Sequence, residues 1–142
     1  MDSYKILIVE DDPNIADTLK DMLEALGHTV LDVFDNGKAV LEYLKDHAPE
    51  LILLDIQLKG NMDGLEVASQ VSQLGDIPFI FTTAFADENT LKEATSHGPY
   101  GYIVKPYGMK DIYAAIEIAM NNHKLIGELK NVKPEPAMVT ND

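Results

Sequence analysis

A chain of 142 residues, 46% of them apolar, is long enough for one domain with a substantial core. Its 24 acidic residues, against 11 lysines and no arginine, give a formal charge of -13; this argues against nucleic acid as a direct partner, because such binding needs phosphate neutralisation and base readout leans on Arg. The absence of cysteine excludes disulfides, thiolate metal sites and thiol nucleophiles.

Met1 to Lys5 has no basic segment leading into an apolar one, and no apolar run nears the ~18 residues of a membrane span, so a cytoplasmic protein without membrane association is expected. Lys5-Ile6-Leu7-Ile8-Val9 reads as a buried strand that stops abruptly at Glu10-Asp11-Asp12-Pro13. Asp12 suits an N-cap and Pro13 a first helical position. Ile15, Leu19, Met22, Leu23 and Leu26 then recur at helical spacing until Gly27. Thr29 to Phe34 is a weaker strand, Asp35-Asn36-Gly37 a turn, and Ala39 to His47 a helix ended by Pro49.

Leu51-Ile52-Leu53-Leu54 is apolar without alternation, as in a strand buried on both faces, and it delivers Asp55 at its carboxyl end. A turn-rich loop, Lys59-Gly60-Asn61-Met62-Asp63-Gly64, leads to a helix over residues 65–74. Ile77 to Thr83 is the fourth strand, Asp87 to His97 a short and mostly polar helix, and Tyr100 to Val104 the fifth strand, followed by Lys105-Pro106. A fifth helix starts near residue 110. Residues 123–142 are expected to form a helical extension and a disordered tail beyond a 1–122 domain. Some 20 residues after the fifth helix are too few for a fused effector domain, so output through a partner protein is expected.

Five β-then-α units with short connections define a doubly wound α/β fold, a parallel sheet with helices on both faces. In the common strand order 2-1-3-4-5, strands one and three are neighbours, so Glu10, Asp11 and Asp12 face Asp55 across the switch point, with Thr83 and Lys105 on the same rim. Several carboxylates in one crevice repel unless some protonate or a cation joins them. Oxygen ligands without His or Cys favour Mg²⁺ or Mn²⁺ over zinc. Such a cation, an ammonium and a hydroxyl could together stabilise a phosphoryl group in transfer to Asp55.

Glu10-Asp11, Asp55, Met62-Asp63-Gly64, Thr83-Ala84 and Lys105-Pro106 together resemble the receiver domain of two-component response regulators, over about residues 4–122. That resemblance implies a flavodoxin-like three-layer fold and a phosphoacceptor switch, not an enzyme in the ordinary sense, which promotes its own phosphorylation and dephosphorylation. Asp55 would take phosphate from a sensor histidine kinase or hybrid kinase. Asp11 and Asp55 would ligate Mg²⁺, with the Gln57 backbone carbonyl, and Glu10 would help through water. Thr83 and Lys105 would hold phosphoryl oxygens, the Lys105-Pro106 bond would be cis, and Tyr102 would be the aromatic switch. Partner docking or homodimerisation is implied at helix four, strand five and helix five, near Tyr102, Tyr107 and Tyr113.

Lys59 replaces the proline such domains commonly carry there, and the loop to Met62-Asp63-Gly64 is one residue longer. Gln57 and Phe85 stand where the family tunes dephosphorylation. Three alternatives remain at this level. A flavin carrier would need an amide-donating loop where the acids stand, an aspartyl phosphohydrolase a second Asp where Gln57 stands, and a degenerate receiver would act as an adaptor without phosphate.

Overall fold

The computed structural model describes residues 2–84 and 87–131, and of Lys130 and Asn131 the backbone alone. Five strands, β1 (Lys5–Val9), β2 (Thr29–Phe34), β3 (Leu51–Asp55), β4 (Phe79–Thr83) and β5 (Gly101–Val104), alternate with helices α1 (Pro13–Ala25), α2 (Gly37–Leu44), α3 (Gly64–Leu74), α4 (Glu88–Thr95) and α5 (Met109–Asn131). All strand pairs are parallel and the order is β2-β1-β3-β4-β5, the expected flavodoxin-like arrangement.

Period-two alternation divides the core between the two faces of the sheet. Leu7, Val9, Ile52, Leu54, Phe79 and Phe81 pack with α2, α3 and Ala94 of α4. Ile6, Ile8, Leu51, Leu53, Ile80 and Ile103 pack with α1 and α5. Burial on both faces explains why β3 reads as an unbroken apolar run.

Helix starts follow local chemistry. Asp12, Asn36, Asp63 and Asp87 cap α1, α2, α3 and α4, each accepting from backbone amides of the first turn. Asn36 brings Gly37 into α2 as its first residue, so that helix begins two residues before Ala39 and ends at Leu44 rather than His47. A Cβ on Gly37 would come within 2.5 Å of Val67 Cγ2, so the glycine is what lets α2 and α3 approach. Helix α4 is likewise shorter than Asp87 to His97, because Asp87 caps it and its last turn closes at Ser96. Helix α5 runs unbroken through Asn121-Asn122: His123 packs edge-on against the Tyr100 ring at 5.5 Å and stands 3.4 Å from Asp76, tertiary contacts that override weak propensity. Residues 132–142, the expected tail, lie outside the described residues. Among the described residues no helix is long and apolar enough to cross a membrane.

Gly64 explains the Asp63-Gly64 pair. Its N–H donates to the Ile56 carbonyl at 2.9 Å, and a Cβ there would fall 2.7 Å from Ile56 Cα and collide with the Asp55 carbonyl. Gly64→Ala therefore pushes the start of α3 away from the end of β3. We expect it to lower stability by ~1–3 kcal/mol in urea unfolding, in the range of overpacking substitutions.

At the opposite end of the sheet, His28 is buried, stacks on the Tyr4 ring and accepts the Tyr4 N–H at Nδ1, 3.0 Å away. Burial lowers its pKa from the ordinary 6.5, although Glu117 pulls the other way. The folded state thus favours the neutral ring. Stability supplied by this group is complete above the ordinary histidine value and is lost as pH falls below it towards the depressed folded value. His28→Gln, which can accept the same hydrogen bond but cannot titrate, should lose less stability than wild type between pH 7.5 and pH 5, measured by denaturant titration at each pH.

Candidate functional site

The register Val9 to Leu54 between β1 and β3 sets the next residues, Glu10 and Asp55, beside one another at the carboxyl edge. Both are only 2% exposed. Lys105, just past β5, reaches across β4 to both: its Nζ lies 3.1 Å from Asp55 Oδ2 and 2.7 Å from Glu10 Oε1. Asp55 Oδ1 accepts the Gln57 backbone N–H at 2.9 Å, and Glu10 Oε2 accepts that of Asp12 at 3.1 Å. Asp11, half-buried, accepts the Lys59 N–H at 2.9 Å, so the lengthened loop positions an acid of the cluster through its backbone. The Lys105-Pro106 bond is cis, as expected.

Burial pushes the Glu10 carboxyl up to about 7, against the lowering pull of Lys105 and of the Asp12 amide; the neighbouring Asp55 adds to the rise. For Lys105 burial favours the neutral amine, but the Glu10 and Asp55 carboxylates outweigh it and hold the ammonium above the ordinary lysine value. The crevice is short of positive charge.

Carboxylate oxygens of Glu10, Asp11 and Asp55 lie within 4.8 Å of one another, close enough to share one cation. The Lys105 ammonium stands 2.7 Å from Glu10 Oε1, so this buried oxygen already faces a positive charge. All-oxygen donors of this kind suit a hard divalent ion such as Mg²⁺.

On the other side of Asp55, Thr83 ends β4 and is fully buried. Its hydroxyl is held by the side chain of Gln57: Gln57 Nε2 donates to Thr83 Oγ1 at 3.0 Å, and Gln57 Oε1 accepts the Ala84 N–H at 3.2 Å. The resemblance placed Gln57 where such domains tune dephosphorylation and gave its backbone carbonyl to the metal; the hold of its side chain on Thr83 was not foreseen. Phe85 lies outside the described residues.

Tyr102 is half-buried, stacked 6.3 Å from Phe81, with its hydroxyl 2.5 Å from Thr95 Oγ1 on α4. Thr95 donates its one hydroxyl hydrogen to the Leu91 carbonyl, so Tyr102 is the donor to Thr95. Tyr113 is exposed on α5. Tyr107 packs with the α1 and α5 core and lines, with Asn14, Ile15, Thr18 and Lys105, a cleft of about 560 Å³.

A doubly wound sheet of this order, with an acidic crevice faced by a threonine and a lysine, defines a class of phosphoacceptor domains. The chain belongs to that class: it is a response regulator receiver domain, matching the family over residues 6–117, and phosphorylation-mediated switching is the family's general function. It is 29% identical over 126 residues to the transcriptional regulatory protein PdtaR of Mycobacterium tuberculosis, covering 89% of this chain and 61% of that protein. It is 31% identical over 138 residues to the transcriptional regulatory protein BaeR of Escherichia coli, covering 97% of this chain and 57% of that one. The chain thus spans about six-tenths of the length of these relatives. The signal receiver domain of a modulated diguanylate cyclase from Desulfovibrio desulfuricans superposes with a TM-score of 0.81 at 39% identity, covering 87% of this chain and 98% of that one.

The electrostatics give a direct test of the cation site. Lys105→Met removes the ammonium that now competes for Glu10 and Asp55, and we expect Mg²⁺ to bind roughly three- to tenfold more tightly to this variant, measured by calorimetric titration.

Proposed function

We propose that Asp55 is the phosphoacceptor, served by Glu10, Asp11, Thr83 and Lys105, and that Tyr102 carries the change to a partner-binding face. The observation that supports this best is the setting of Asp55: a buried carboxylate at a strand end, with one oxygen on the Gln57 amide and the other on the Lys105 ammonium.

An Asp55 carboxylate oxygen attacks the phosphorus of a histidine kinase's phosphohistidine, or of a small acyl phosphate. The new O–P bond forms as the bond to the leaving group breaks, and the leaving group departs with that electron pair. Lys105 turns from Glu10 towards the incoming phosphoryl oxygens and offsets their charge. Thr83 donates its hydroxyl from the β4 side. Asp11, Asp55 and the Gln57 carbonyl would hold Mg²⁺, with Glu10 nearby. The ion would supply positive charge to the same oxygens. The domain promotes its own phosphorylation and dephosphorylation in this way without being an enzyme for another substrate.

The switching unit is residues 1–122, with 123–142 as an extension that begins inside α5. We place its action in the cytoplasm, with a sensor or hybrid histidine kinase upstream and a protein partner downstream. The docking or dimerising face is α4-β5-α5. On β5 it carries Val104, 44% exposed, and on α5 Tyr113, 41% exposed.

Acetyl phosphate with Mg²⁺ should add one phosphoryl group to the wild-type chain, seen by intact-mass spectrometry, with Asp55 as its site. Asp55→Asn should show none, and EDTA should suppress the wild-type reaction. Lys105→Met should slow it by about 10²-fold, the scale seen when one preorganised charge-stabilising donor is removed. Phosphorylation of Asp55→Asn at the wild-type rate would rule out the assignment.

A further inference from the structure

Gln57 lies two residues past the acceptor, yet its side chain turns away from Asp55 to the end of β4. The Ala84 N–H can only donate, so its 3.2 Å bond to Oε1 fixes the orientation of the carboxamide. Nε2 is then the donor to Thr83 Oγ1 at 3.0 Å, and the Thr83 hydroxyl is also 3.2 Å from Oε1. Thr83 is 0% exposed, so water cannot readily replace these bonds; another polar group has to.

We propose that the Gln57 carboxamide is a latch for the unphosphorylated state: it engages the Thr83 hydroxyl and the Ala84 amide, the two β4-side groups a phosphoryl group on Asp55 would use, and must be displaced for β4 to close on phosphate. This rests on Asp55 being the acceptor. Gln57 is then a positioning residue, acting through Thr83 and Ala84.

The exchange has a defined direction. A neutral carboxamide gives way to phosphoryl oxygens because hydrogen bonds to a charged acceptor are roughly twice as strong as neutral ones. The bonds broken are subtracted from that gain, so the latch sets how much of the phosphoryl group's binding energy is left to move Thr83. Opening requires only rotation of the Gln57 side chain. Its backbone N–H stays on Asp55 Oδ1, 2.9 Å away, so the acceptor is not disturbed.

Gln57→Met keeps side-chain length and approximate volume while removing both hydrogen-bonding groups. Without phosphate, the Ala84 amide should exchange with solvent about tenfold faster in this variant, by NMR hydrogen exchange; equal exchange would overturn the latch. With Mg²⁺, beryllofluoride should bind Gln57→Met about tenfold more tightly than wild type, equivalent to ~1.4 kcal/mol. A residue with a merely structural role would lower the thermal midpoint and leave beryllofluoride affinity unchanged. Equal or weaker beryllofluoride binding by the variant overturns the latch and leaves Asp55 as acceptor. If wild type neither binds beryllofluoride nor takes phosphate at Asp55, the acceptor assignment and the latch fall together.

Discussion

Two carboxylates buried side by side, with one ammonium between them, set the terms for the whole carboxyl edge. Glu10 and Asp55 are adjacent because β1 and β3 are neighbours in register, and neither has escape to solvent. Burial, and to a lesser degree the neighbouring negative charge, makes ionisation of Glu10 costly, and Lys105 offsets this only in part, as the elevated Glu10 carboxyl shows. A buried arrangement of this kind is a poor source of stability compared with apolar packing. Its value is chemical: the charge deficit creates a demand for cations on one side and a ready ammonium on the other.

Holding that arrangement falls to backbone groups rather than to further charges. Gln57 N, Asp12 N and Lys59 N each fix one acid of the trio. Gly64 lets α3 begin directly against the Asp55 carbonyl, and Asp63 caps that helix. These amides come from two loops, β1–α1 and β3–α3, that follow strands with almost no exposed surface, so the carboxylates are positioned by the packed part of the molecule.

The parts of this picture readable in the sequence were those governed by period and punctuation. Unbroken apolar runs marked strands buried on two faces. Asp12 and Gly27 bounded α1, and acids at the ends of β1 and β3 marked the crevice. What could not be read depended on where one element lies against another. Gly37 looked like a turn residue because its use is a close approach between α2 and α3, and the helical pattern weakened past residue 122 because the contacts of His123 are tertiary. Gln57 has a long side chain with many rotamers. Only the position of β4 decides that it reaches Thr83, although its place two residues past Asp55 was a signal that it bordered the site.

The same geometry explains why a change at Thr83 could be felt outside the crevice. Thr83 pairs in register with Val104 of β5, and Phe81, two residues earlier on β4, pairs with Tyr102 and stacks on its ring. Tyr102 in turn is tied through its hydroxyl to Thr95 of α4. That helix buries a single residue, Ala94, so few apolar contacts resist its displacement, whereas β4 is buried throughout and moves only as a packed unit. The end of β4 and the helix with the fewest buried residues are thus joined by a continuous set of contacts through β5 and the Tyr102 hydroxyl.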